Sequence, residues 1–207
     1  MPRLDDGTAT PPAASRRTRS ADVRDALVDA AVRVLERDGL AALTVRAVAA
    51  EAGVAPMGVY NHLQGKNGLM VAVLARGFDG LRAAVTTRPG APVDQRLTAA
   101  GVGYREFARA NPITYGLMFS GHADPEVHER VAPHADPALA ALIGLVAEAQ
   151  RVGFLRQGDP EVLAMHIWSA VHGAVSLELA GACPEGHDPE MLYRGLTDAI
   201  LRGLAPA

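Results

Sequence analysis

At 207 residues with 49% apolar side chains, the chain is long enough for one large or two small domains around a sizeable core. A net charge of −3 excludes a strongly basic surface over the whole protein. The single cysteine, Cys183, excludes an internal disulfide and suits a reducing cytoplasm, its plainest reading being a thiol without a role.

No apolar run of membrane-spanning length and no charged-then-apolar leader is visible, so a cytoplasmic chain without membrane contact is expected. Residues 1–14 are rich in Pro, Thr, Ala and Asp without periodicity and read as disordered. Arg16, Arg17 and Arg19 make the whole of 1–19 a disordered basic arm. A first helix is predicted from Ser20 to Asp38, with Val23, Leu27, Ala30, Ala31, Val34 and Leu35 on one stripe. Ser20 is placed to cap it, and Gly39 to end it in the left-handed conformation.

The stretch from Thr44 to Lys66, TVRAVAAEAGVAPMGVYNHLQGK, has the most specific spacing in the chain. Thr44 is a good N-cap, and Val45, Val48, Ala49 and Ala52 recur at helical spacing. Gly53 follows where a left-handed residue would end that helix, and Pro56 suits the first turn of another. Val59 and Leu63 form the inward face of the second helix, Met57 and Asn61 lie opposite, and Gly58 and Tyr60 flank them. A longer helix from Lys66 to about Thr87 carries Leu69, Val73, Leu74, Phe78, Leu81 and Val85 on one face. It ends at Arg88-Pro89-Gly90 and is the mechanical link to the rest of the chain.

Beyond it a helix-start signature repeats: Asn111-Pro112, Asp124-Pro125, Asp136-Pro137, Asp159-Pro160 and Asp188-Pro189 each pair a capping side chain with a first-turn proline. These predict helices at about 92–110, 112–120, 125–131, 137–153, 159–181 and 189–204, and no strand pattern competes. The chain reads as all-α. The 159–181 helix is apolar nearly all round, and Met191, Leu192, Leu196, Ala199 and Ile200 stripe the last one. Gly173, Ala174 and Gly195 permit close helix approach, so a second copy is the expected cover, in a two-fold homodimer; the alternative is that both helices are central in a monomer.

Ala49, Gly53 and Val59, with the run VYNHL and Lys66, resemble the helix-turn-helix of the tetracycline-repressor (TetR) family. The resemblance implies an N-terminal DNA-binding unit at 20–66 and a helical ligand-binding and dimerisation domain at 67–207. It implies double-stranded DNA with a pseudo-palindromic operator as partner, with the helix from Ala55 and Pro56 to Leu63 in the major groove. Thr44, Tyr60, His62 and Lys66 would hold phosphates, Arg46 a phosphate or base edge, and Met57, Gly58 and Asn61 would face bases. Tyr60 can equally pack under the following helix. The small residues at Ala55 and Gly58 leave few side chains for base contact. Residues 15–70 carry eight basic and six acidic side chains, and 71–207 eleven and fifteen, an asymmetry in the direction a DNA-binding end requires. The arm would contact phosphates or the minor groove, or is a solvated tail.

Asn111-Pro112-x-x-Tyr115-x-Leu117-Met118-Phe119 and Trp168-x-x-x-His172-Gly173 resemble the TetR ligand domains named for Trp-His-Gly. A mainly apolar pocket for a small hydrophobic effector is expected, with Tyr104, Phe107, Tyr115, Met118, Phe119, His166, Trp168 and His172 as candidate lining. For each of these, plain core packing is the alternative. No cofactor or metal is expected. His122, His128 and His134 are six apart and share no helical face, and no His-x-x-x-His or Cys-x-x-Cys occurs. Gly101-x-Gly103 lacks the rest of a dinucleotide fingerprint, and no Gly-x-Ser-x-Gly occurs. The expectation is a non-enzymatic, ligand-released repressor. The alternatives are an activator or ligand-blind regulator with the same head, or an all-α small-molecule binder or enzyme without DNA function.

Overall fold

The computed structural model describes residues 20–121 and 124–206. The predicted basic arm (1–19), the Ser20 side chain proposed as a cap, and His122 lie outside what is described. The described residues form nine α-helices: α1 (Ser20–Asp38), α2 (Val45–Glu51), α3 (Pro56–Leu63), α4 (Lys66–Val85), α5 (Val93–Ala110), α6 (Pro112–Met118), α7 (Pro125–Arg151), α8 (Pro160–Leu179) and α9 (Pro189–Gly203). A short 3-10 turn, Leu40–Ala42, follows α1.

Local chemistry accounts for most boundaries. Gly39 follows α1 at φ 78° and ψ 178°, an extended positive-φ conformation that glycine tolerates and not the helical αL form expected, and its amide donates to the Leu35 carbonyl. The carboxylates of Asp159 and Asp188 accept from the amides of Glu161 and Glu190, capping α8 and α9 as the Asp-Pro pairs predict. Neither Asn111 nor Asp124 caps its helix through the side chain; the Asn111 side-chain amide donates to the Phe107 carbonyl at 2.8 Å and closes α5 instead.

One predicted boundary is absent. The expected break between 131 and 137 does not occur, and α7 runs unbroken through Pro133 and Pro137. Proline disrupts a helix by removing an amide and crowding the carbonyl four residues back. Here Pro133 and Pro137 are themselves four apart and both exposed, so both defects fall on one solvent-facing stripe. Val127, Val131, Leu145 and Val146 of the same helix stay buried.

A second expectation also needs correction. α8 is long enough and, at a mean hydropathy of 1.3, apolar enough to cross a membrane by length and composition. It nevertheless carries Glu161, His166, His172 and Glu178, and it packs Leu163, Ala164, Ile167, Val171 and Val175 into the body of the protein.

The cores are arranged along α4. Leu27, Val34, Leu43, Val48, Ala49, Val59 and Leu63 close a head around α1–α3, joined by Leu69 and Val73 from the first turns of α4. Further along, Phe78 and Leu81 enter the body formed by α4–α9. Two glycines set the approach at either end. A Cβ on Gly68 would lie 1.5 Å from the Leu63 carbonyl oxygen, and one on Gly103 of α5 would lie 2.1 Å from that of Ala84.

Candidate nucleic-acid interface and interior cavity

The head is built by local rules. The Thr44 hydroxyl accepts from the Ala47 amide at 3.1 Å and starts α2. Gly53, at φ 68°, turns the chain, and the Val54 amide returns to the Ala49 carbonyl at 2.9 Å. Val59 is fully buried against α1 and α2, which fixes the rotation of α3. Pro56 occupies the first turn, and Ala55, the N-cap, offers no side-chain bond.

That rotation leaves one face open. Met57 is 64% and Tyr60 55% exposed, and Ala55, Pro56 and Asn61 are exposed with them. Gly58 is half-buried beside Val54, and His62 is half-buried. Thr44, Arg46 and Lys66 are also exposed. Tyr60 also leans on Gly65, where an added Cβ would sit 3.2 Å from its ring, so exposure and packing coexist. The α3 C-cap, Gln64, is the one non-glycine residue at positive φ among the described residues.

Ion pairs sort the basic side chains of this end. Glu51 takes Arg33 at 2.7 Å and Arg37 at 2.9 Å, and the two guanidiniums hold its carboxyl below the usual carboxylate range. Arg76 of α4 pairs with Asp25 and Asp29 of α1. Arg46 and Lys66 make no ion pair among the described residues.

Inside the body, α4, α5, α7, α8 and α9 enclose a cavity of about 350 Å³. Of the predicted lining residues, Tyr104, Met118, Phe119 and Trp168 form its wall. Tyr115 and His172 sit directly behind that wall. Phe107 does not line it; its ring lies over Gly80, beside a more open hollow of about 540 Å³ between α1, α4, α5 and α6. His166 is exposed and also absent from the wall, because two residues along a helix rotate it to the side opposite Trp168. Thr98, His128, Asp136 and Thr197 line the cavity and were not foreseen. In the sequence Asp136 reads as a cap, and the threonines carry no signal beyond helix periodicity.

The wall contains one continuous polar cluster. The Trp168 indole donates to the Tyr104 hydroxyl at 3.1 Å. That hydroxyl lies 3.1 Å from the Tyr115 hydroxyl and 3.0 Å from His172 Nδ1, and Tyr115 lies 2.8 Å from the same nitrogen. His172 Nε2 faces the Ser176 hydroxyl at 3.5 Å. Burial raises both tyrosines above the usual phenol range and lowers His172, favouring the neutral imidazole. A neutral ring accepting at Nδ1 lets the protons run in one direction: indole to Tyr104, Tyr104 to Tyr115, Tyr115 to His172. Phe119 stands edge-on to His172, with centroids 4.8 Å apart, and to Tyr115 at 5.1 Å.

Nearby, Arg105 is buried and binds both oxygens of Glu178, at 2.8 and 2.9 Å, tying α5 to α8. Among the described residues, no three His, Cys, Asp or Glu side chains converge as a metal site.

Comparison with known proteins decides the family. Residues 27–73 match the family profile described as bacterial regulatory proteins, tetR family, and residues 97–200 match a tetracyclin repressor-like C-terminal domain, which spans half of the chain. The chain belongs to the TetR family. It is 30% identical over 185 residues to the uncharacterized HTH-type transcriptional regulator Rv0681 of Mycobacterium tuberculosis, covering 86% of this chain and 78% of that protein. Its fold is similar to that of a protein of unknown function from Rhodococcus sp. RHA1, with TM-score 0.82, 26% identity, 93% of this chain and all of that one. A regulatory protein of the tetR family from Rhodococcus RHA1 matches at TM-score 0.69 and 21% identity, covering 89% of this chain and 98% of the other. This TetR-family chain is therefore an all-helical HTH transcriptional regulator and not an enzyme, and its family implies binding to a DNA operator.

Proposed function

We propose that the protein is a cytoplasmic, homodimeric repressor released from a pseudo-palindromic operator by a small hydrophobic effector. The observation that carries this reading is the path of α4. One helix supplies Leu69 and Val73 to the head core and Phe78, Leu81 and Val85 to the cavity wall. An effector that favours one setting of α4 would thereby bias the spacing of two recognition helices. In this reading residues 20–66 are the DNA-binding unit and 67–207 the effector and dimer unit, with α4 common to both.

Dimerisation is supported by the outward apolar side chains of the last two helices: Val162 (48% exposed), Met165 (41%) and Leu177 (57%) on α8, and Met191 (72%) and Leu192 (39%) on α9. The Trp168-x-x-x-His172-Gly173 run that resembles the Trp-His-Gly subgroup contributes Trp168 to the wall and His172 behind it. On the DNA side, Met57, Gly58 and Asn61 face bases, Thr44, Tyr60, His62 and Lys66 hold phosphates, and Arg46 holds a phosphate or a base edge.

Fluorescence anisotropy on fragments flanking the gene tests the assignment. Tyr60→Ala and Lys66→Ala should weaken binding to every sequence and flatten its salt dependence. Asn61→Ala should cost about 1–3 kcal/mol at one base pair and little elsewhere. Uniform loss across sequences would remove Asn61 as a base reader. A promoter reporter that falls when the gene is deleted would replace repression with activation.

A further inference from the structure

Counting hydrogen-bond donors around the cavity points to the chemistry of its occupant. A carboxylate or phosphate needs donors or cations that are not already engaged. The Trp168 indole proton is given to Tyr104, and Tyr104 is tied to Tyr115 and His172. The Thr98 hydroxyl donates back to the Asp94 carbonyl at 3.0 Å, and the Thr197 hydroxyl to that of Arg194 at 2.9 Å. Among the described residues, the only lining side-chain donor left is the His128 ring, at the exposed edge, and no lysine or arginine lines the cavity.

Acceptors are in the opposite condition. Both threonine oxygens keep lone pairs. Among the described residues, Asp136 is the only carboxylate in the lining; it is exposed at the edge and makes no ion pair or hydrogen bond with them. Phe78, Phe119 and Trp168 also line the wall and offer apolar aromatic surface to the body of a ligand.

We infer that the cavity takes a hydrophobic cation, an amine or quaternary ammonium with its apolar body among the rings and its charge toward Asp136, and discriminates against carboxylates. This rests on the effector reading of the same cavity, and it fixes the sign of the effector's charge. Trp168 is the only tryptophan in the chain and lies in the wall, so its emission reports occupancy directly.

The test titrates the full-length protein with three probes of one chain length, below their micelle concentrations: decyltrimethylammonium, decanol and decanoate. The expected result is quenching or shift of Trp168 emission, with the cation about tenfold tighter than decanoate, a gap that narrows as salt screens the exposed carboxylate. Asp136→Asn should bring the cation down to the level of the alcohol, and Asp136→Lys should make decanoate the better ligand. Both changes fall on an exposed side chain, and an unchanged decanol affinity certifies that the cavity is intact. Decanoate equal to or tighter than the cation, or a ratio untouched in both variants, overturns the charge assignment while the effector reading stands. If none of the three probes moves the emission or the melting temperature, both fall together.

Discussion

In the head, Met57, Tyr60, Asn61 and Lys66 turn outward over a core that is wholly apolar. In the body, Tyr104, Tyr115, Trp168 and His172 turn inward and satisfy one another behind a cavity. The consequence is physical. On α3 the outward side chains contribute little to the core, so they can change at small cost in stability. In the body the groups nearest the cavity also hold the core, so substitutions that reshape the cavity disturb folding as well.

The largest effects should come from the two places where backbone meets backbone. Replacing Gly68 by Ala puts a methyl group 1.5 Å from the Leu63 carbonyl oxygen, and replacing Gly103 puts one 2.1 Å from that of Ala84. Helix propensity alone would favour alanine by about 1 kcal/mol. The overlap reverses the sign, and each variant should lose roughly 3 kcal/mol or more in thermal or urea unfolding. Gly144→Ala, on the exposed side of α7 with nothing within 4 Å, should instead gain up to about 1 kcal/mol. The two damaged variants should also differ in kind. Gly68→Ala should abolish DNA binding while sparing the Trp168 environment, and Gly103→Ala should do the reverse. Equal damage to both readouts in both variants would mean that head and body unfold as one unit.

Tyr104→Phe comes next. It strips the indole of its acceptor and interrupts the proton chain, which should cost about 1–3 kcal/mol and shift Trp168 emission. Asn61→Ala, the corresponding deletion on the head, should stay within about 0.5 kcal/mol of the parent in unfolding. If the two deletions cost the same, the contrast between outward and inward polar groups is wrong.

A smaller, pH-dependent effect separates the halves again. Burial lowers His172 below its ordinary value of 6.5. The unfolded chain then takes up a proton that the native state refuses, so stability falls as the pH drops from about 6.5 toward the lower native value. Above that window the contribution is complete. His172→Gln should lower the melting temperature at neutral pH and flatten its decline on the acid side, with DNA contacts untouched.

How much of this could be read beforehand follows from the range of the interactions. Thr44, Gly53 and Val59 lie within a few turns of one another, and their roles as cap, turn and buried anchor are set by neighbours in sequence. The polar cluster joins Tyr104 to Trp168 and His172 across more than sixty residues, and helix periodicity names such residues without showing which of them meet. Phe107 and His166 were therefore candidates of equal standing with Tyr104 and Trp168, although their rotation on α5 and α8 sends them elsewhere. Asp136 shows the opposite error. Reading it with Pro137 as a helix start hides both the continuity of α7 and a carboxylate at the edge of the cavity.

Another small effect tests whether the head is as self-contained as its outward face implies. Gln64 ends α3 in the left-handed conformation, φ 59° and ψ 30°, which costs a side-chain-bearing residue roughly 1–2 kcal/mol relative to glycine. Glycine recovers that strain but loses about 0.5–1 kcal/mol through the greater freedom of its unfolded chain. Gln64→Gly should therefore raise stability by less than about 1 kcal/mol, measured by thermal unfolding. The side chain is not idle, however. It accepts from Arg130 of α7 at 3.4 Å, while Asn67 of α4 reaches Glu126 of the same helix at 3.4 Å. Both contacts are long and exposed, and in water they should not offset the relief of backbone strain. A net loss of stability in Gln64→Gly, reproduced by Arg130→Ala, would mean that α7 braces the end of the recognition helix. The cavity, whose wall includes His128 and Asp136 of α7, would then reach the DNA-binding face by a route that bypasses α4.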